Sequence, residues 1–390
     1  MSLRKLQPQR IFSGLELLAP DQILVINSTG KVMDILPASE AGEGVEQVTG
    51  WITPGFINCH CHLELSHLAG AIPEKTGLPG FVQQILSFRD FPEADQKLAM
   101  ESADLLMWRE GIQAVGDISN RIDSLQIKTN SAITYHNFIE VSGWMPSVAE
   151  KRYRLAKQIL DKFLELTPRA SLVPHAPYSV STELWQLLVP HFSGQPITIH
   201  NQESKAEQYL FEKGKGEWPD FYSVLQIDNE HFVPTGKSSL QSILSYLQTA
   251  APLLLVHNTF TSAADIEQAE SRQGSVFWCL CPQANLYIED TIPPAELLRK
   301  NNSKLVFGTD SLASNHSLSI LDEMKLLAQH FPNIPAEEML RWATSQGAAA
   351  LQLEDQLGYL RPGTSPGILQ LEGLSPDGGI GPRSRITRWW

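Results

Sequence analysis

The sequence predicts an α/β protein: a closed (β/α)8 barrel with a small β-sandwich domain formed by the N- and C-terminal segments. Three observations predict it. Eight short apolar runs rich in β-branched residues alternate with helix-like stretches, each run carries a polar residue at or near its end, and the pattern changes to Gly- and Pro-broken strands at both ends of the chain. The expected division gives residues 1–53 and 355–390 to the small discontinuous β domain and residues 54–354 to the barrel.

In chain order, Met1-Ser2-Leu3 carries no structural weight, and residues 10–36 read as strands with a turn at Ser28-Thr29-Gly30. The eight barrel runs are 52–62, 112–119, 133–141, 171–177, 197–203, 253–260, 275–285 and 305–310. Helical periodicity fills 147–166, 240–249, 262–272, 317–330 and 335–351, while the segment after Asn120 is the least regular connection. A doubly wound open sheet would alternate in the same way, but its G-x-G-x-x-G turn is missing after the first run. Residues 358–374 resume a strand pattern broken by Pro362-Gly363 and Pro366-Gly367. Residues 378–390 read as weakly ordered, with Trp389-Trp390 available to dock. The segment 213–236 is long for a barrel loop and holds Trp218, Phe221, Tyr222 and Phe232. It reads equally as a cover over a substrate and as a surface excursion or dimer contact. Within it, Pro234 to Ser238 imitates the end of a phosphate loop, yet lacks the earlier glycine and a leading strand; it reads as a helix start capped by Ser238 or Thr235.

Composition narrows the function. Forty-three acidic against thirty basic residues give a net charge of −13, which disfavours nucleic acid and anionic membrane surfaces as partners. No apolar run approaches the ~20 residues of a membrane span, and no secretory pattern opens the chain, so a cytoplasmic location is expected. The cysteines form two Cys-x-Cys pairs, Cys59/Cys61 and Cys279/Cys281, and not the Cys-x-x-Cys of structural zinc; they read as small buried side chains in a reducing compartment.

The polar run ends carry the chemistry. They are His60 and His62, Asp117, Glu140, His175, His200 with Glu203, His257, Cys281 with Asn285, and Asp310. A barrel collects such ends at one mouth, where this fold builds its active sites. In His60-Cys61-His62 the strand period of two puts both imidazoles on one face, able to grip one cation, and sends Cys59 and Cys61 toward the helices. Adding His200, His257 and Asp310 gives a donor set suited to Zn²⁺ or Fe²⁺ with a place left for water. Glu203, three residues past His200, stands where it can pass a proton; a carboxylate that merely favours a helix dipole would stand there too. No Ser-His-Asp arrangement and no H-x-E…P-C-x-x-C deaminase signature is evident.

The strings PGFINCHCHLELS, HNQE, HNTF and FGTDSLASN, in that order, resemble the amidohydrolase superfamily, and more narrowly its mononuclear deaminase branch, over roughly residues 10 to 370. The resemblance implies one divalent metal per chain, Zn²⁺ before Fe²⁺, held by His60, His62, His200 and Asp310. It implies Glu203 as the proton shuttle, and His257 as orienting the attacking water or touching the metal. The fourth run offers His175 where binuclear relatives carry a carboxylated lysine, which points to a single metal. His175 then resembles a substrate-binding residue, with Glu64, Ser311 and Asn285 as further candidates. FGTDSLASN followed by SLSILDEMK is most similar to aminodeoxyfutalosine deaminases of menaquinone synthesis, although Gln283-Ala284-Asn285 stands where those often have Arg-Ser-Asn. The implied reaction is hydrolytic deamination of a small-molecule aminopurine nucleoside, in a protein whose resemblance also suggests a homodimer. The rivals are a related deaminase or C–N/C–Cl hydrolase acting on S-adenosylhomocysteine, adenosine, guanine, cytosine or a chlorinated ring, and a non-catalytic binding protein on the same fold.

Overall fold

A computed structural model describes residues 3–88 and 91–390, so Met1 and Ser2 lie outside the described residues. The chain opens with β1 (Leu3–Ile11), β2 (Gln22–Asn27), β3 (Val32–Pro37) and β4 (Val45–Pro54). Eight strands follow: β5 (Phe56–Cys61), β6 (Ile112–Ser119), β7 (Thr134–Val141), β8 (Ala170–Pro174), β9 (Ile197–Asn201), β10 (Leu253–His257), β11 (Val276–Leu280) and β12 (Lys304–Phe307). Two more, β13 (Ile368–Glu372) and β14 (Arg385–Arg388), end the chain.

The middle eight strands are nearly all buried along their length, as a parallel sheet between a packed interior and a helix layer requires. They pair as two parallel groups, β5-β6-β7-β8 and β9-β10-β11-β12. Backbone hydrogen bonds join the groups at both sides. His200 N–H donates to the His175 carbonyl at 3.0 Å, and Thr309 and Asp310 N–H both donate to the His60 carbonyl at 3.0 and 3.1 Å. The barrel is therefore closed, with strand-end residues forming the seams. Five helices of the outer layer start on a serine whose hydroxyl accepts a backbone N–H of the first turn: Ser181, Ser204, Ser238, Ser262 and Ser319. Ser238 thus caps a helix start, as expected of the phosphate-loop imitation.

Both ends of the chain build one six-stranded sheet, ordered β14-β13-β4-β1-β2-β3. One face packs Leu6, Leu24, Ile26, Ile52 and Ile368 into a core; the other gathers Ile23, Val25 and Ala41. The expected run 52–62 is two strands, β4 in this sheet and β5 in the barrel, divided at Gly55. A Cβ on Gly55 would lie 2.2 Å from Gln113 Cγ and 3.0 Å from the Pro366 carbonyl oxygen, so only glycine lets the strand pass from one sheet to the other.

Two further expectations are corrected at the termini. Leu3 begins β1, which residues 10–36 did not include. Residues 385–388 are an ordered edge strand, with β14 antiparallel to β13. Arg388 donates to the carbonyls of Trp108 (2.6 Å) and Ile112 (2.9 Å), its guanidinium lies over the Trp108 ring, and Arg4 lies over the rings of both Trp389 and Trp390. These partners are hundreds of positions away, which is why a short polar tail gives no local sign of them. Deleting residues 385–390 is expected to destabilise the fold by about 2–4 kcal/mol, read as a lowered denaturation midpoint, because it uncovers Leu369 and Leu371 and removes these ties.

The segment 213–236 holds the helix Glu217–Val224, whose Trp218 and Tyr222 are buried. Trp218 stacks on Tyr178 with ring centroids 4.0 Å apart, and the Tyr222 hydroxyl donates to the Tyr178 carbonyl. The segment therefore packs behind Tyr178, a residue of the cavity described next. The patterns 240–249 and 335–351 are also less uniform than expected. The first is an α-turn pair, Ser239–Ile243, continued as a 3-10 turn, and the second passes through a π-turn at Trp342–Gln346.

Candidate metal centre and active site

Alternation along β5 points His60 into the barrel and Cys59 out toward the helices, where its thiol lies 3.7 Å from the Gly347 carbonyl. All four cysteines are buried free thiols, and burial pushes the thiols of Cys59, Cys61 and Cys281 well above the usual range, the setting of inert packing residues. Opposite His60, Gly308 has no room for a side chain: its Cβ would lie 2.7 Å from His60 Cβ and 2.9 Å from Cys279 Sγ.

Four donor atoms converge there. His62 Nε2 lies 3.1 Å from His60 Nε2, 3.2 Å from His200 Nε2 and 3.3 Å from Asp310 Oδ1, and His60 Nε2 lies 3.5 Å from the same oxygen. Ligands held 2.0–2.1 Å from a tetrahedral zinc are about 3.3–3.4 Å apart, so the observed spacings fit one such ion. The tautomers fit as well: His200 Nδ1 donates to the His175 carbonyl at 2.9 Å, which leaves the Nε2 lone pair facing the others. Burial lowers the pKa of His200 to about 4 and that of His62 well below the usual imidazole range, so both imidazoles are neutral at pH 7, the form a metal ligand needs. For Asp310 burial acts the other way, but the hydrogen bond to His60 and the closeness of the His62 and His257 imidazoles, which would take up a proton before the carboxylate does, outweigh it and hold the carboxyl below the usual range. Its second oxygen accepts from Ser314 Oγ at 2.6 Å, the kind of outer contact that orients a metal ligand. His257 (φ +75°) and Asp310 (φ +55°) both sit in left-handed backbone at strand ends, a strain typical of functional positions.

Glu203 faces this cluster from the start of the helix Lys205–Lys213. Ser204 caps that helix, and the buried Glu207 carboxylate accepts the N–H groups of both Gln202 (3.0 Å) and Glu203 (3.2 Å), which fixes the turn. Glu203 Oε1 lies 3.6 Å from His257 Nε2. Burial and then the nearby Asp310 charge raise its pKa well above the usual carboxylate range, the kind of perturbation found at proton-transfer groups. His257 Nδ1 lies 3.2 Å from the amide nitrogen of Asn285.

A cavity of about 450 Å³ opens over the cluster. Its polar floor is set by His62, His175, His200, Glu203, His257 and Asp310, and the helix Gly77–Ser87 supplies apolar wall through Leu78, Phe81, Val82 and Ile85. Ser311 and Glu64 also line it, but the Glu64 carboxylate is occupied by the N–H groups of Asn120 (3.0 Å) and Arg121 (3.2 Å), tying the first strand loop to the second. Asn285 lies behind His257, with its amide nitrogen also 2.8 Å from Thr259 Oγ1, away from the lining. Gln283 is turned aside as well: its backbone and side-chain nitrogens donate to Glu323 at 2.9 and 3.2 Å. Among the described residues the cation in the lining is Arg121, which ion-pairs with Asp123.

Sequence reading passed over a buried ion pair behind His62. Lys128 Nζ lies 2.5 Å from Asp117 Oδ2 and donates to Ser119 Oγ, while Asp117 Oδ1 accepts the N–H of Leu63, the residue after His62. Replacing Lys128 by methionine strands the Asp117 charge and is expected to cost about 3–5 kcal/mol in a denaturation titration. Adding Asp117→Asn, which keeps an acceptor for Leu63, should recover most of that loss; an unrecovered double variant would mean that packing, not charge, is at issue.

Comparison with known proteins identifies the family. The amidohydrolase family profile matches residues 51–380. An adenosine deaminase of Helicobacter pylori is 28% identical over 314 residues, covering 78% of this chain and 75% of that one. An aminodeoxyfutalosine deaminase of Nitratiruptor is 26% identical over 315 residues, again 78% and 75%. Among solved structures, the aminofutalosine deaminase of Helicobacter pylori in complex with methylthio-coformycin superposes with a TM-score of 0.81 at 22% identity, covering 96% of this chain and 94% of that one; at that identity the likeness speaks for the fold. A barrel closed through its own strand-end residues, four converging donor atoms and a profile match over most of the length lead to one conclusion: the chain belongs to the amidohydrolase family.

Proposed function

We propose that the protein is a metal-dependent hydrolytic deaminase of an aminopurine nucleoside, with 6-amino-6-deoxyfutalosine, converted to futalosine in menaquinone biosynthesis, as first-choice substrate. The observation that carries this reading is the convergence of His60, His62, His200 and Asp310 at metal-ligand spacing, with the buried Glu203 carboxyl group beside them. One divalent ion, Zn²⁺ by the nitrogen-rich donor set, would be held by those four residues and would supply a lowered water pKa and a fixed template.

The chain's own groups account for the rest. Glu203 accepts a proton from the water whose oxygen adds to the carbon bearing the amino group and delivers it to the adjacent ring nitrogen; it then carries the hydroxyl proton of the tetrahedral adduct to the amino group, which leaves as ammonia as the C–N bond breaks and the carbonyl forms. His257, 3.6 Å from Glu203, orients the water, and His175 binds the substrate from the fourth strand. The apolar wall of Leu78, Phe81 and Ile85 suits the faces of a purine, and Arg121 offers a charge for an anionic substituent in place of the diverted Gln283.

The test is ammonia release by metal-quantified protein against aminodeoxyfutalosine, adenosine, S-adenosylhomocysteine, methylthioadenosine, guanine and cytosine, with chloride release from a chlorotriazine as contrast. Turnover of one purine nucleoside at a kcat/KM of ~10⁴ M⁻¹s⁻¹ or better is expected. Silence on every purine from protein with a full metal complement would overturn the substrate class.

A further inference from the structure

Glu140, at the end of β7, has no part in the proposed chemistry, yet its side chain is only 8% exposed. Its Oε2 is buried without any hydrogen-bond donor, an arrangement that costs free energy unless a bound group supplies one. The carboxylate lies in the wall of the catalytic cavity and, with Asn120, also lines an adjoining cavity of about 420 Å³. Glu140 therefore borders both cavities.

A carboxylate oxygen of Glu140 and ring nitrogens of His175 and His200 lie within 4.8 Å of one another, which raises a second cation as the missing partner. The hydrogen bonds oppose that. His200 Nδ1, 3.6 Å from Glu140, already donates to the His175 carbonyl, and its other nitrogen faces the metal cluster. Ser179 Oγ donates to the Ala176 carbonyl (3.0 Å), so it accepts from His175 Nδ1–H at 2.7 Å, and His175 Nε2 is left as an acceptor. At most two ligands remain for a cation. What remains for a neutral molecule is a pair of acceptors, Glu140 Oε2 and His175 Nε2, beside the Asn120 side chain, which hydrogen-bonds to the Glu140 carboxyl group.

We infer that Glu140 is a specificity-determining residue that accepts hydrogen bonds from hydroxyl groups of the substrate, so that the site selects a sugar-bearing base over a free one. The inference rests on the nucleoside reading and gives it a recognition element. Glu140 makes no contact with the reacting carbon; its effect lies in binding.

The experiment measures the affinity of adenosine, 2′-deoxyadenosine and 3′-deoxyadenosine by calorimetry, with metal-loaded Glu203→Gln protein to prevent turnover, and again with Glu140→Gln added. One deoxy compound is expected to bind about 10- to 100-fold more weakly than adenosine, and Glu140→Gln should weaken adenosine by a similar factor while removing the difference. Equal affinity for all three, no binding of any, or a preference that survives Glu140→Gln would overturn the inference. A second metal equivalent that disappears with Glu140→Gln would overturn it too, by assigning the carboxylate to a cation. Failure of the nucleoside reading itself shows separately, in the ammonia assay.

Discussion

Replacing Glu203 by glutamine is expected to leave metal content unchanged and to lower kcat by about 10²- to 10⁴-fold, the range a positioned proton-transfer group contributes. Glutamine keeps the shape of the side chain and its place beside His257, but cannot take up and release a proton. The turn that presents it is fixed by Ser204 and Glu207, neither of which the substitution touches, so the fold should not change. Metal analysis on the protein used for ammonia release separates the two effects. A variant with full metal and turnover within a few-fold of the parent would remove Glu203 from the mechanism and reduce it to a residue at a helix start.

Asp310→Ala should act in the opposite order, with metal lost first and activity as a consequence. Asp310 is the anionic member of the set, its Oδ1 being 3.3 and 3.5 Å from the His62 and His60 nitrogens. Removing it leaves imidazoles alone to offset the charge of a divalent ion. Loss of an outer partner typically costs 10–100-fold in metal affinity, so Ser314→Ala is expected to fall in about that range and Asp310→Ala beyond it. Dialysis against a graded chelator series, followed by metal analysis, orders the three proteins. If Asp310→Ala holds metal as tightly as Ser314→Ala, Asp310 is not a ligand.

Much of this site could be read from the chain because it depends on local period. Two histidines two residues apart on an apolar strand share a face whatever the rest of the protein does, and a polar residue at the end of each barrel strand must reach the same mouth. His60, His62, His200, His257 and Asp310 are all of this kind, and the structure brings them together. What could not be read depends on contacts distant in sequence. Glu140 was visible as a strand-end carboxylate, but that its oxygen lacks a donor follows only from which groups surround it. Lys128 looks like a surface lysine on a six-residue helix until Asp117 and Ser119 are placed against it. Asn285 and Glu64 were candidates for substrate because of where they stand in their motifs; the structure sets the Asn285 amide against His257, outside the cavity lining, and keeps Glu64 in the lining with its carboxylate accepting two backbone N–H groups. The tail from Arg385 to Trp390 takes its order from Trp108, Ile112 and Arg4, none of which its own residues foretell.

The two seams of the barrel are made by backbone groups at the converging donor cluster and beside it: the His60 carbonyl with the Asp310 amide on one side, the His175 carbonyl with the His200 amide on the other. An ion gripping His60, His62, His200 and Asp310 would therefore act as a clasp between two half-barrels, each of four strands. Chelation should be felt as mechanical loosening along two lines rather than as uniform softening. The amide protons of His200, Thr309 and Asp310 would exchange faster in the stripped protein, while those at the centre of each four-stranded half stay protected. In such a molecule the catalyst and the rivet are one object, and tolerance to heat becomes a record of how well the site is loaded.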